Sequence, residues 1–71
     1  MNFSELKKTI NDEIDQGDLS LQVIFNRHIK LIESLKNEGY TYAVIFRKIE
    51  SKLHEEHLRT LIRNAKKKLK G

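Results

Sequence analysis

The residues of this 71-residue chain best suited to chemistry are the cations near its C-terminus. From Leu58 onward every charged side chain is basic. At helical spacing, side chains at i, i+4, i+7, i+8 and i+11 share one face. A face of one charge sign attracts polyanions, and nucleic acid is the commonest of these. The cations that follow this spacing are Arg59, Arg63, Lys66, Lys67 and Lys70.

Residues beside these cations extend the predicted site. Thr60 and Asn64, like Arg59 and Arg63, are of types that contact base edges in a major groove. Arg47 and Lys48 on the preceding helix are expected to lengthen the basic face. The alternative is that the basic segment is only a solvated helix end. We therefore predict a nucleic-acid-binding site, with DNA favoured over RNA, that comprises Arg47, Lys48, Arg59, Thr60, Arg63, Asn64, Lys66, Lys67 and Lys70.

The remaining candidate groups do not predict an enzyme. His54 and His57 are spaced i, i+3, unlike the i, i+4 histidines of the zinc protease motif, and a metal would need a third ligand from elsewhere. Glu55 and Glu56 are adjacent, so on a helix they diverge by about 100° and form no shared acid–base pair. The chain has no glycine-rich phosphate loop. We expect no catalytic activity, no metal and no cofactor.

Composition limits the class of protein. The chain has no cysteine, which fits a reducing compartment. No apolar run approaches the roughly 18 residues of a membrane span, so we expect a cytoplasmic protein without membrane contact. A chain this short buries only about 60% of its unfolded surface, and dimerisation is a common remedy for the resulting low stability.

The formal net charge of +4 is unevenly distributed along the chain. Residues 1–20 contain two lysines against five acids, which is a net charge of −3. The remainder contains twelve basic against five acidic residues, which is a net charge of +7. The acids therefore precede the region in which a polyanion is expected to bind.

Apolar residues at helical spacing predict a first helix over residues 4–15, with Ser4 as its N-cap. Gly17 suits the left-handed conformation that commonly follows a helix. Either Asp18 or Ser20 can then cap a second helix that runs to about Glu38.

The second helix has an apolar stripe that is wider than one neighbouring helix requires, because Val23 and Ile29 broaden it. One side of the stripe is expected to meet the first helix. The other side meets either the C-terminal helices, which we favour, or a partner subunit.

A third helix is predicted after Gly39, with Thr41 as its N-cap and Tyr42 packed in the core. The apolar stripe then slips by about one residue, and this change of phase predicts a break near His54. The sequence thus predicts an all-α single domain of four short helices over residues 1–71. Residues 1–38 form a helical hairpin that supports a basic, helix-turn-helix-like half over residues 39–71.

The C-terminal pattern also resembles a known family of proteins. The order Ile32-x-x-Leu35, Glu38-Gly39-Tyr40-Thr41, Ile45, Ile49, Leu53 and Leu58-Arg59, followed by basic residues, resembles small helix-turn-helix proteins of plasmids and phages. It is most similar to the short TraK-type accessory proteins of plasmid conjugation. The resemblance covers about residues 29–68. It implies a DNA-binding accessory or regulatory factor, as a monomer or homodimer, with the helix from about His54 as the recognition helix.

The chain departs from that family pattern at two points. A glycine is expected in the turn between the last two helices, where this chain has residues 51–54 without glycine. Glu55 and Glu56 stand near the helix end that usually enters the DNA groove, where they repel phosphate. A second hypothesis is a protein-interaction adaptor or inhibitor that docks on an acidic protein surface, for which the wide apolar stripe of the second helix and the acidic first helix would matter as much as the basic tail. Exposure of both Val23 and Ile29 would favour this second hypothesis.

Overall fold

The computed structural model describes residues 3–70 and consists of four α-helices. Helix α1 spans Phe3–Gln16, α2 spans Leu21–Asn37, α3 spans Tyr42–Ile49 and α4 spans Glu55–Lys70. Residues 3–70 contain no β-strand. The predicted all-α fold is confirmed, and the break between α3 and α4 lies where the change of apolar phase predicted it.

Two side-chain caps fix where the central helices begin. The hydroxyl of Ser20 accepts a hydrogen bond from the Val23 N–H at 3.2 Å, so Ser20 rather than Asp18 caps α2. The Thr41 hydroxyl accepts one from the Val44 N–H at 3.3 Å and caps α3, as predicted. Each cap satisfies one of the N–H groups that a helix start leaves without a partner.

The prediction that Ser4 caps the first helix is wrong. Helix α1 already includes Phe3, so Ser4 lies within its first turn. The Phe3 side chain packs against the core, and this contact favours a helix that includes Phe3 rather than one that begins after it.

Each turn between helices contains one residue with positive φ. Gly17 (φ 71°) and Gly39 (φ 114°) adopt this conformation after α1 and α2, as their types predicted. After α3 the residue is Glu50, with φ 52° and ψ 44°. A left-handed conformation is unfavourable for a residue with a side chain, so neighbouring contacts must hold it in place.

Two contacts from α1 hold the end of α3. The Asn11 amide donates a hydrogen bond to the Ile49 carbonyl at 2.9 Å, which satisfies one of the carbonyls that a helix end leaves free. Lys7 forms an ion pair with the Glu50 carboxylate. Helix α1 therefore supplies polar partners to the turn that has no glycine.

The four helices surround one core, and each packs chiefly on the helix next but one along the chain. Helix α1 packs chiefly on α3 and α2 chiefly on α4, while the backbones of α1 and α4 do not approach each other within residues 3–70. All four helices contribute buried side chains. These are Leu6, Ile10, Ile24, Phe25, Ile29, Ile32, Leu35, Ile45, Phe46, Ile49, Leu58, Leu61, Ile62 and Ala65.

The wide apolar stripe of α2 is covered only in part. Ile29 is 2% exposed and belongs to the core, whereas Val23 is 41% exposed. Packing within the chain therefore buries Ile29 but leaves Val23, the other residue that broadens the stripe, exposed.

Over residues 3–70 no helix combines the length and the apolar character needed to cross a lipid bilayer.

Candidate nucleic-acid interface

A groove between α3 and α4 gathers the cations of the C-terminal helix. Its volume is about 290 Å³, and none of the acidic residues that the structure describes lines it. Its floor is apolar and consists of Tyr42, Phe46 and Ile62. We call it the α4 groove. Its rim holds all five cations that helical spacing placed on one face, namely Arg59, Arg63, Lys66, Lys67 and Lys70.

Two aromatic rings from α3 form most of the floor of the α4 groove. The rings of Tyr42 and Phe46 lie 6.1 Å apart between centroids and 11° from parallel, because residues four apart share one helix face. The guanidinium carbon of Arg59 lies 5.5 Å from the centroid of Phe46. The Lys66 ammonium lies 5.7 Å from the centroid of Tyr42. These distances place both cations within range of the rings' negative faces.

One end of the α4 groove is anchored by contacts between three helices. The Tyr42 hydroxyl of α3 donates a hydrogen bond to the Glu33 carboxylate of α2 at 2.7 Å. The Lys66 ammonium of α4 lies 3.5 Å from the other oxygen of Glu33. Burial and the hydrogen bond to Glu33 raise the pKa of Tyr42. The Tyr42 hydroxyl and the charge of Glu33 raise the pKa of Lys66.

The other cations of the rim are less constrained. Arg59 pairs with Glu55 one turn earlier at 3.2 Å, and both side chains are about half exposed. Such surface pairs contribute only about 0–1 kcal/mol. Within residues 3–70, no carboxylate forms an ion pair with Arg63, Lys67 or Lys70. The positive potential of the α4 groove is therefore largely uncompensated.

Thr60 and Asn64 do not line the α4 groove. The Thr60 hydroxyl donates a hydrogen bond to the Glu56 carbonyl of its own helix at 3.1 Å. The Asn64 amide donates one to the Gln22 side chain of α2 at 3.3 Å, and Gln22 in turn donates to the Leu61 carbonyl at 2.9 Å. Both predicted base-contacting residues are exposed, on the flank of α4 beside the cations.

Arg47 and Lys48 line a different cavity from the cations of α4. This second cavity has a volume of about 430 Å³ and is shared with Phe3 and Lys7 of α1. The Lys48 ammonium lies 5.9 Å from the centroid of Phe3. Successive helical residues diverge by about 100°, so Arg47 and Lys48 turn away from the α4 side that Phe46 occupies. Together with Lys7 and Glu50 they line a separate surface beside α1, which is not an extension of the α4 groove.

His28 and Tyr40 have structural contacts. His28 lies 2.6 Å from a Glu13 oxygen, and Arg27 binds the other oxygen of Glu13 at 3.1 Å. Tyr40 is 41% exposed and meets the edge of Phe3 at 4.9 Å. Across residues 3–70, no three histidine, aspartate or glutamate side chains are grouped as a metal site.

The aromatic floor and its anchor are the parts of the site that sequence reasoning did not identify. Tyr42 was assigned to the core, and it does pack against the core while half buried. The i, i+4 spacing of Tyr42 and Phe46 indicates a shared face, but not that this face meets the cations of α4. The role of Glu33 depends on a contact across helices and has no local signal.

No comparison with known proteins bears on the function of the α4 groove. Comparisons of the chain with protein-family models, with curated proteins and with solved structures found no match. Its chemistry must be inferred from the residues themselves. These are five cations and an aromatic floor, with no acid of residues 3–70 along the lining.

Proposed function

We propose that this chain binds nucleic acid, and DNA in the first instance, through the basic face of α4. The observation that carries the proposal is the rim of the α4 groove, on which no carboxylate of residues 3–70 pairs with Arg63, Lys67 or Lys70. Unpaired cations on one face suit phosphate contacts, because each neutralised phosphate releases condensed counterions.

The order of the helices supports DNA as the partner. The eight-residue helix α3 is followed by a short turn and by α4, which is the order of a helix-turn-helix module. The resemblance to accessory and regulatory factors of plasmids and phages points the same way. The acids Glu55 and Glu56 occupy the first turn of α4, so the cations further along the helix are better placed to contact phosphates.

Phosphate contacts position a protein on its target but carry no direct sequence information. We therefore assign Arg63, Lys67 and Lys70 to the nucleic-acid backbone. Thr60 and Asn64 flank these cations and are the residues through which base edges would be contacted. A homodimer would place two such faces on one DNA, with a spacing set by its symmetry.

The second hypothesis, a protein-interaction adaptor, has less support. Exposure of both Val23 and Ile29 would favour this hypothesis, but Ile29 is buried in the core. Val23 alone remains as exposed apolar surface on α2. An adaptor that docks on an acidic protein would use the same cations but would show no affinity for duplex DNA at moderate salt.

A salt titration tests the proposal. Binding to random-sequence duplex and to single-stranded DNA is measured by fluorescence anisotropy for the wild type and for Arg63→Ala combined with Lys67→Ala. We expect weaker binding and a salt slope reduced by about two, because each phosphate contact contributes about 0.9 to that slope. Both substituted residues are exposed, so stability should change by no more than about 0.5 kcal/mol for each.

The matched control removes the same net charge from other surfaces. Lys8→Ala combined with Lys30→Ala alters two exposed lysines that lie outside the α4 groove. We expect this control to retain most of the salt slope. Equal losses in the two double variants would contradict a site on α4, and no binding by the wild type at low salt would contradict nucleic-acid binding altogether.

A further inference from the structure

We propose that the α4 groove receives a single unstacked nucleobase together with its phosphate, so that the chain prefers single-stranded nucleic acid to an intact duplex. This inference rests on the proposed function and specifies the form of nucleic acid that the site binds. The lining of the groove is the starting observation. Cations from α4 stand above an apolar floor that is supplied mainly by α3.

The apolar floor has no role in binding a duplex backbone. Phosphates require cations and hydrogen-bond donors, and in a duplex the faces of the bases are covered by stacking. In a single strand the faces are available, and a base can stack on an aromatic side chain while its phosphate meets a cation. The α4 groove combines these two kinds of surface within one volume.

The size of the α4 groove fits one nucleotide. Its volume of about 290 Å³ lies just below the range for small-molecule sites, about 300–1,000 Å³. The near-parallel rings of Tyr42 and Phe46 are fixed by their spacing on α3 and by the hydrogen bond from Tyr42 to Glu33. The aromatic floor is therefore formed before a ligand arrives, which lowers the entropic cost of binding.

Arg59 is the side chain that must move for a base to enter. Phe46 is 7% exposed, and the Arg59 guanidinium lies over its ring, where an exposed ion pair with Glu55 holds it weakly. When it lifts, the guanidinium can stack on the outer face of the base while Phe46 contacts the inner face. Arginine guanidinium planes and aromatic rings are both established stacking partners of unpaired bases.

A fluorescent adenine analogue, 2-aminopurine, reports this stacking directly. A short oligothymidine strand with one internal 2-aminopurine is titrated with wild-type protein, and the same strand annealed to its complement serves as the duplex. We expect the single strand to bind roughly tenfold more tightly than the duplex at equal salt. We also expect the analogue's emission in the single strand to be quenched on binding, because a stacked analogue loses emission.

Variants separate the aromatic floor from the cationic rim. Phe46→Leu keeps an apolar side chain without an aromatic face, and we expect it to lose most of the quenching and the single-strand preference. Lys8→Ala combined with Lys30→Ala, which alters residues outside the α4 groove, should retain both. Circular dichroism verifies that each variant is folded, and the quenching by the wild type tests the inference even where a variant is unstable.

The outcomes distinguish the two proposals. Equal affinity for single strand and duplex, without quenching, would overturn the base site and leave nucleic-acid binding in place. No affinity for either form at low salt would overturn both. Displacement of the strand by a short acidic peptide that contains phenylalanine, at concentrations where a purely acidic peptide has no effect, would assign the groove to a protein partner and overturn the base site.

Discussion

At the scale of single residues, Tyr42 links the three C-terminal helices. Its hydroxyl donates to Glu33 of α2, its ring stacks with Phe46 of α3, and Lys66 of α4 lies beside it. Lys36 also lies 4.6 Å from its centroid. The side chain is half buried, so the loss of its hydroxyl removes a hydrogen bond that water replaces only in part.

We expect Tyr42→Phe to lower the free energy of unfolding by about 1 kcal/mol, because it deletes a hydrogen bond to a partly buried carboxylate. Urea denaturation followed by circular dichroism measures the change. Tyr40→Phe is the matched control, since Tyr40 is more exposed and we expect a change of less than about 0.5 kcal/mol. Equal changes in the two variants would contradict a role for the Tyr42 hydroxyl.

The same substitution should alter the response to alkaline pH. The pKa values of Tyr42 and Lys66 are raised above their ordinary values of 10.0 and 10.5, so the folded state retains these protons longer than the unfolded chain. Their contribution to stability is therefore complete below pH 10.0 and is lost as the pH rises through the raised values. Tyr42→Phe should lose less stability than the wild type over this alkaline range.

At the scale of the helices, the short helix α3 depends on its cap. It has eight residues, and isolated helices below about 12–15 residues are marginal in water. The Thr41 hydroxyl satisfies the Val44 N–H at its start, while Asn11 of α1 satisfies the Ile49 carbonyl at its end. Both ends of α3 are thus closed by side chains.

We expect Thr41→Ala to destabilise the protein by about 1 kcal/mol, which for a chain of this size lowers Tm by about 4–8 °C. Thr60→Ala is the control, because the Thr60 hydroxyl donates to a carbonyl inside α4 and caps no helix start. Thermal unfolding of the two variants gives the comparison. A Tm for Thr41→Ala that matches the control would show that α3 begins without help from this hydroxyl.

Local signals predicted the helices and their beginnings well. Thr41 and Gly17 could be assigned from residue type, because a cap and a left-handed turn are decided by neighbouring residues. The left-handed conformation of Glu50 could not be predicted, because it is a glutamate held by Lys7 and Asn11 of a distant helix. Such contacts depend on tertiary packing and have no counterpart in local spacing.

The candidate site also has features that local spacing predicts and features that depend on tertiary packing. Five cations within one helix were correctly placed on one face, because helical periodicity alone decides their relative directions. The placement of Arg47 and Lys48 depends on how α3 is rotated between α1 and α4, which periodicity within α3 does not determine. The aromatic floor beneath the cations was missed for the same reason.

At the scale of the whole molecule, the C-terminal half of the chain is held by packing of its two helices on α1 and α2. Helix α3 packs chiefly on α1, and α4 chiefly on α2. Of the buried core residues, Leu6 and Ile10 of α1 and Phe25 of α2 are among the largest that are fully buried. Removal of α1 and α2 would expose the apolar faces of α3 and α4 that these residues cover.

We expect a peptide of residues 39–71 to be largely unfolded at 25 °C, although it contains both helices of the helix-turn-helix-like half. Circular dichroism of this peptide and of the full chain provides the measurement. The full chain should unfold in one cooperative transition, as single small domains do. A folded peptide with the helical content of α3 and α4 would contradict the dependence on the first two helices.

The separation of α1 from α4 has a consequence for how the molecule meets a partner. The backbones of acidic α1 and basic α4 do not approach each other within residues 3–70, and α2 and α3 each pack against both. Two helices of opposite charge that lie apart separate charge within the molecule, and this separation acts as an electric dipole in addition to the net charge. In the field of a polyanion this dipole experiences a torque that turns α4 forward before contact, which raises the fraction of collisions that are productive.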